Sequence, residues 1–579
     1  MFVVDVLKYF PFQSFRPYQE EVLVKIQDCF DSYNFIFLES PTGFGKSAIA
    51  YAIAKWLEDT QGGLSHIVVA DKYLQRQYLS SFPDIVQVMG RNNFECSLPM
   101  FQLDKYFRKD VEPGKDRITC DRAPCTLSTG YKCPHKPRPL IRGGVQVKDQ
   151  HGVIYQWEQE SPDAEWWEVE HPYCPYWVQK DAAIRSNITI SNYAYFLHEN
   201  TYSGAFTKRL FGVLDEAHLA ESFLLNFIQE DVTRWTLRRV SKHFPSEGVS
   251  EVIPEYVDID SWKNWLEHTC GLFSDILDKF GSASELSTEI STEDYAELDI
   301  RVLMKNTVER LTILIADIID DPENWVWIRD ERRVLFKPVT IAKYSGRLFN
   351  HMGKKLLMSA TILDHEMLGR YLGVEKEDIK FIRVSESTFP IKNRPLIQDY
   401  QGKATHKTMD AYLSKMLQRI DDYYIPNKMV NKGVVHTHSH KIARYILANS
   451  KYKNMMVSNT DNEGNRDEIF QEFFDSKPPK VMVSCSMDLG VDLFDERCRW
   501  QLICKIPYPD MNDPQIKKRM EREPDWYDYR SVVDLIQTYG RACRSETDWA
   551  ETYVLDSMFA WLVSKNKSII PKWFMEAIR

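Results

Sequence analysis

The 579-residue chain has no run of about 18 apolar residues, so a membrane-spanning helix is not expected. It has no low-complexity tract, which argues against a long disordered tail. Its first nine residues are apolar but hold Asp5 and Lys8, without a basic start or a small-residue cleavage site. They therefore do not read as a signal peptide. A cytoplasmic protein without a membrane partner is expected, and the compact size fits a prokaryotic or viral source better than a eukaryotic nucleus. Positive charge is also short overall, with a formal net charge of −10. That does not exclude nucleic acid, because binding depends on local patches. The deficit is concentrated: Ser282 to Asp299 carries six carboxylates and no Lys or Arg, as a solvated face would.

Eleven cysteines in such a chain are not read as disulfides. Five of them (Cys96, Cys120, Cys125, Cys133 and Cys174) fall in one stretch. The other six are scattered and read as small buried hydrophobes.

What is present begins with Asn34–Leu38, an apolar and aromatic run that reads as a buried strand. Ser40-Pro-Thr-Gly-Phe-Gly-Lys-Ser47 follows, and Ala48–Leu57 then reads as an Ala-rich helix. Strand, glycine loop and helix form the context of a phosphate-binding loop, with Ser40 in place of its first glycine. Gly43 and Gly45 let backbone N–H groups approach phosphate oxygens, and the helix N-terminus adds its positive dipole end. Lys46 reaches the β- and γ-phosphates of ATP, and Ser47 joins the Mg²⁺ shell. A chance glycine turn before a helix is the bland alternative.

Leu210–Leu214 reads as a second buried strand, ending in Asp215-Glu216-Ala217-His218. Asp215 is placed to hold Mg²⁺ and Glu216 to polarise the attacking water as general base. Downstream, Lys432–Thr437, Lys480–Ser484 and Trp500–Lys505 are strands that alternate with helical stretches, as in a second parallel α/β sheet. Arg541 and Arg544 are spaced to share one helix face with Gln537, where guanidinium groups stabilise a transferring phosphoryl group.

The phosphate loop followed by Asp-Glu-Ala-His resembles the superfamily 2 helicases. The further motifs of that superfamily occur in order: Phe15-Arg-Pro-Tyr-Gln19, Ile67–Gln75, Leu356-Leu-Met-Ser-Ala-Thr361, Ser486–Asp492 and Gln537–Arg544. The resemblance implies that Gln19 reads adenine and that Thr42, Gly43 and Gly45 cradle phosphates. It also places Gly490 and Asp492 at the nucleotide or beside the arginine motif. Gly90-Arg-Asn-Asn-Phe-Glu-Cys96 and Cys174-Pro-Tyr-Trp177, which open and close the cysteine stretch, narrow the resemblance to the XPD/DinG iron–sulfur helicases.

That resemblance implies two RecA-like parallel-sheet motor domains in an α/β fold, with a cysteine-rich insertion and a mainly helical arch insertion in the first. The first motor domain would take residues 1–89, 186–221 and 340–385, the cysteine insertion 90–185, the arch 222–339 and the second motor domain 386–579. Tyr295–Ile319 reads as a helix of the arch. Cys96, Cys125, Cys133 and Cys174 would hold a [4Fe–4S] cluster, with Cys120 as a spare or as the alternative to Cys125. Zinc is the other chemical option, with His135 or His171 as nitrogen ligands. The insertion is also basic and aromatic, from Arg108 and Lys109 through Tyr131 and Lys132 to Tyr176 and Trp177, as a single-strand channel would be.

The expected activity is ATP-dependent unwinding by 5′→3′ movement on single-stranded or forked DNA, with a monomer as the working expectation. Two other readings stay open: remodelling of RNA or RNA–DNA hybrids, and an ATP-clamped DNA-binding factor that does not unwind.

Overall fold

A computed structural model describes residues 4–97, 119–127, 133, 135, 141–142, 145–146, 174–279, 292–460, 466–485 and 493–579. Two parallel sheets organise it. The first joins β1 (Phe35–Glu39), β2 (Ser65–Val69), β3 (Val86–Gln87), β4 (Ile188–Asn192), β5 (Arg209–Asp215), β6 (Met352–Ser359) and β7 (Ile379–Arg383). Their order across the sheet is β7-β1-β6-β5-β2-β4-β3, and every pairing is parallel. A parallel sheet covered on both faces needs strands that are apolar throughout. β1 and β2 are buried at every position. Glu39 is the exception in character, a carboxylate buried in β1 and held by the Arg383 guanidinium at 2.6 Å.

The second sheet contains β8 (Leu396–Gly402), β9 (Gly433–His436), β10 (Met456–Ser458), β11 (Val481–Ser484), β12 (Trp500–Ile503) and β13 (Glu551–Asp556). Its order is β8-β13-β12-β9-β11-β10, again all parallel. The two-lobed α/β architecture expected from the sequence is therefore the one observed. Strand centres were legible and strand ends shifted by one or two residues, as at Phe35–Glu39 against the expected Asn34–Leu38.

Between β5 and β6 the chain leaves the first sheet. Helices at Arg234–His243, Ile259–Lys279 and Thr292–Asp320 pack on a three-stranded antiparallel sheet of Glu230–Thr233, Arg333–Pro338 and Trp325–Arg329. That sheet adds to the helical expectation. Its hairpin turns at Asp330, whose carboxylate accepts the Arg332 and Arg333 amides at 2.7 and 2.9 Å, an Asx-type turn that sequence periodicity does not report. Among the described residues, no helix is long and apolar enough to cross a membrane.

Candidate functional site

The phosphate-binding loop leaves β1 and enters helix α1 (Lys46–Gln61). Gly43 and Gly45 have φ of +79° and +88°, a left-handed backbone that side chains rarely adopt. A Cβ on Gly45 would sit 2.5 Å from Gln19 Nε2, and one on Gly43 would meet the Phe389 ring at 2.1 Å. The glycines are thus required twice, for backbone conformation and for close approach. Gln19 braces the loop. Its Nε2 donates to the Phe44 carbonyl at 2.7 Å, and its Oε1 accepts the Arg16 amide at 2.8 Å. Arg16 in turn donates to the Gly43 carbonyl. Lys46 Nζ rests 3.4 Å from the Ser40 carbonyl, at the mouth of the loop.

Asp215 ends β5, two strands from the loop across β6. It is buried, accepting the Tyr78 hydroxyl at 2.9 Å and the Glu216 amide at 2.9 Å. Burial, with the Glu216 charge beside it, pushes its carboxyl up to about 6, and Lys46 pulls the other way. Glu216 has φ +52°, a strained conformation for a non-glycine residue, here at the turn that aims its carboxylate. Burial opposes its ionisation, but His218, Lys46 and Arg544 hold it well below the usual carboxylate range. A negative Glu216 facing cations is the state a general base needs.

His218 is the junction of the site. Its Nδ1 lies 2.8 Å from Ser359 Oγ and 3.3 Å from a Glu216 carboxylate oxygen. Gln537 of helix α2 (Pro524–Tyr539) donates to Thr361 Oγ1 at 2.8 Å and lies 3.4 Å from His218 Nδ1. Arg530 of the same helix donates to the His218 carbonyl at 3.2 Å. The Asp-Glu-Ala-His turn, the Ser-Ala-Thr turn and the second lobe thereby share one hydrogen-bonded knot. At the loop itself, Thr42 also meets the second lobe: a Cβ on Gly540 would lie 3.4 Å from its hydroxyl.

One expectation about the arginines is corrected. Arg541 and Arg544 do not share a helix face with Gln537, because the helix ends at Tyr539 with Gly540 as its cap. Beyond it the chain is held by Asp548, whose carboxylate accepts the Arg544 amide at 3.0 Å and the Trp549 amide at 2.8 Å. The two arginines diverge. The Arg544 charge acts on Glu216, whereas the Arg541 charge acts on His436 and His438. Gly490 and Asp492 lie outside the described residues.

The five clustered cysteines come together although they span residues 96 to 174. Cys120 Sγ lies 3.7 Å from Cys174 Sγ, and Cys133 is hydrogen-bonded to Cys125. Cys96 is near enough to act electrostatically on both pairs. The expected spare, Cys120, is thus buried directly against Cys174. Around them Arg91 stacks over Tyr176 and Trp177 at 4.7 and 5.4 Å. His135 stands by through its carbonyl, which accepts the Cys174 amide at 2.8 Å. His171 and most of the basic stretch lie outside the described residues. Among the described residues, no three His, Cys, Asp or Glu side chains converge at the spacing of a single metal ion. A thiol-only donor set in pairs fits a polynuclear cluster better than a mononuclear site with nitrogen ligands.

Several residues of the cleft had no individual place in the sequence reading. Tyr78 and Phe389 carry no motif signal, and Arg16, although inside the Phe15–Gln19 motif, had no role assigned; the folded chain brings Arg16 and Phe389 to the loop and Tyr78 to Asp215.

Comparison with known proteins agrees with this geometry. A family of helicase C-terminal domains matches residues 425–577. The chain is 21% identical to a probable ATP-dependent helicase of Methanocaldococcus jannaschii, over 95% of this chain and 93% of that one. A solved XPD helicase superposes with a TM-score of 0.61 at 16% identity, covering 96% of this chain and 99% of the other. The chain therefore has the fold of the XPD helicases, and its residues 425–577 match helicase C-terminal domains. A second solved relative, Xpd4 of S. tokodaii, superposes with a TM-score of 0.53 at 12% identity over 97% of this chain and 99% of that one.

Proposed function

We propose that this XPD/DinG-like chain is a DNA helicase that couples ATP hydrolysis to 5′→3′ movement along single-stranded DNA and opens duplex or forked substrates. The observation that carries the reading is the knot at His218. A change at the γ-phosphate that moves Glu216 moves His218, and with it Ser359, Thr361 and the Gln537 side chain of the second lobe. Such a knot turns nucleotide state into lobe spacing, which is what strand movement requires.

In this reading Lys46, Thr42, Gly43 and Gly45 bind the phosphates, and Gln19 holds the loop under the adenine. Asp215 and Ser47 are the residues that would hold Mg²⁺, which when bound neutralises phosphate charge. Burial and the neighbouring Glu216 charge disfavour the ionised Asp215 carboxylate, and a cation beside it would relieve both. Glu216 orients the water and accepts its proton. Arg544 sits on the Glu216 side of the cleft and is the stronger candidate for stabilising the transition-state charge. Arg541, whose charge acts on His436 and His438, would join it on closure of the lobes, and Gly490 and Asp492, which lie outside the described residues, are assigned to the nucleotide from the sequence alone.

We assign the cysteine insertion to a [4Fe–4S] cluster held by Cys96, Cys133, Cys174 and one of Cys125 and Cys120. When bound, that cluster cross-links the insertion and shapes the strand path beside Arg91, Tyr176 and Trp177. The domain division proposed from sequence is retained, with the arch at 222–339 and the second motor domain from 386.

The test is ATP turnover by the full chain with single-stranded DNA, with RNA of the same sequence and with neither. Stimulation of about tenfold or more by DNA, and much less by RNA, is expected. Equal or greater stimulation by RNA would turn the assignment to an RNA remodeller.

A further inference from the structure

Between the lobes lies a cavity of about 330 Å³ whose lining includes no residue of the phosphate loop. Its volume is in the range of sites that enclose a small ligand. It opens where the second sheet's strands end: His438 follows β9, and Tyr508 follows β12. Ligands of open parallel sheets bind outside the carboxyl ends of the strands. The first lobe contributes Glu221, three residues after His218.

The lining has the chemistry of a base site. Tyr508 and Trp526 provide aromatic walls, and Tyr508 is itself backed by a parallel stack on Tyr527, with ring centroids 5.6 Å apart. Glu221 adds no free charge, since Arg519 pairs with it at 2.6 Å and Trp526 Nε1 donates to it at 3.1 Å. Two polar groups are left over. Gln515 is 2% exposed; its Nε2 donates to the Val339 carbonyl at 3.1 Å, but its Oε1 has no hydrogen-bond partner. The Tyr508 hydroxyl also has none. A buried acceptor and a buried hydroxyl without partners cost stability unless a ligand satisfies them. An amide oxygen that accepts and a phenol that donates match the adjacent donor and acceptor on the pairing edge of a nucleobase.

We propose that this cavity holds one unstacked nucleobase of the bound strand, walled by Tyr508 and Trp526 and read on its edge by Gln515 Oε1 and the Tyr508 hydroxyl. The proposal rests on the reading of the chain as a nucleic-acid motor. It adds a single-nucleotide register to that reading, because Arg530 lines the same cavity and donates to the His218 carbonyl. A base entering or leaving the cavity is then one helix away from the hydrolysis state.

The experiment uses the full chain, a non-hydrolysable ATP analogue and a single-stranded DNA labelled at its 5′ end, with one abasic site moved stepwise along the strand. A duplex block fixes where the protein stops. The expected result is one position at which the abasic site weakens binding about tenfold, within the range of base–aromatic stacking. Neighbouring positions are nearly neutral. In Tyr508→Leu and Gln515→Met that dip flattens. In Tyr508→Phe, which keeps the ring and guards against misfolding of the larger change, it shrinks without vanishing. A flat profile in the wild type, or a dip that persists in every variant, overturns the proposal while leaving the motor reading intact. Failure of the intact strand to bind at all overturns both.

Discussion

The nucleotide cleft and the cysteine cluster are built on opposite principles. In the cleft, Gln19, Lys46, Asp215, His218, Ser359 and Gln537 come from distant parts of the chain, and two buried parallel sheets fix their places. His218 Nδ1 lies 2.8 Å from Ser359 Oγ and 3.4 Å from Gln537 Nε2, so side chains from three separate motifs meet at one point. In the cysteine insertion the described pieces hold few strands, and Cys120, Cys174 and Cys96 are themselves part of the packing, with Tyr176, Phe94 and Trp177 around them. The contrast teaches that the cleft is a property of the fold, whereas the insertion, under the proposed cluster assignment, depends on what its thiols bind.

The two regions should therefore fail in different ways. The largest effect is expected at the phosphate loop. Lys46→Ala removes the cation that meets the transferring phosphate and should lower DNA-stimulated ATP turnover by about 10²–10³-fold. Steady-state phosphate release, with thermal unfolding unchanged, checks it, and near wild-type turnover would remove the loop from the mechanism. Next is Cys174→Ser, measured after anaerobic purification. It should lose the absorbance near about 400 nm of an iron–sulfur centre and make the insertion protease-sensitive. ATP binding should stay within about threefold, a bound set here by the separation of the two regions. Collapse of both properties together would erase the contrast. Metal analysis of the wild type that finds zinc and no iron would replace the cluster assignment.

A smaller effect tests the knot. Gln537→Ala should reduce strand displacement per ATP consumed by about tenfold, the scale of losing one hydrogen bond to a buried group. Turnover itself should fall less. Parallel losses would mean that Gln537 acts on hydrolysis and not on its coupling. The smallest effects are expected at Cys120 and Cys125. Each serine variant leaves four thiols in the cluster of five, so each should keep most of its iron, and the double variant should lose it. If Cys120→Ser alone loses the iron, Cys120 is the ligand and Cys125 the spare.

The two-lobed fold was legible because parallel strands buried on both faces are written as apolar runs, such as Phe35-Ile-Phe-Leu38 and Leu210–Leu214. Local motifs were legible for the same reason that they work, since a backbone at φ +88° strains any residue but glycine. What remained hidden was tertiary. The spacing of Arg541 and Arg544 suggested a helix, but Gly540 ends it and Asp548 holds the following turn, so the two side chains part. Tyr78 pairs with Asp215 across 137 residues, and no periodicity reports such a contact. The arch sheet was missed because its three strands are short and separated by two long helices. The choice between Cys120 and Cys125 rested on the family resemblance, and the fold brings both thiols to the same place.

The most direct test of the motor assignment is strand displacement by the anaerobically purified full chain, with ATP and Mg²⁺, on duplexes bearing a 5′ or a 3′ single-stranded DNA overhang. ATP-dependent displacement from the 5′ overhang, with little from the 3′ overhang, is the predicted result. ATP hydrolysis stimulated by DNA with no displacement from either would contradict it and leave a nucleotide-driven clamp in place of a helicase.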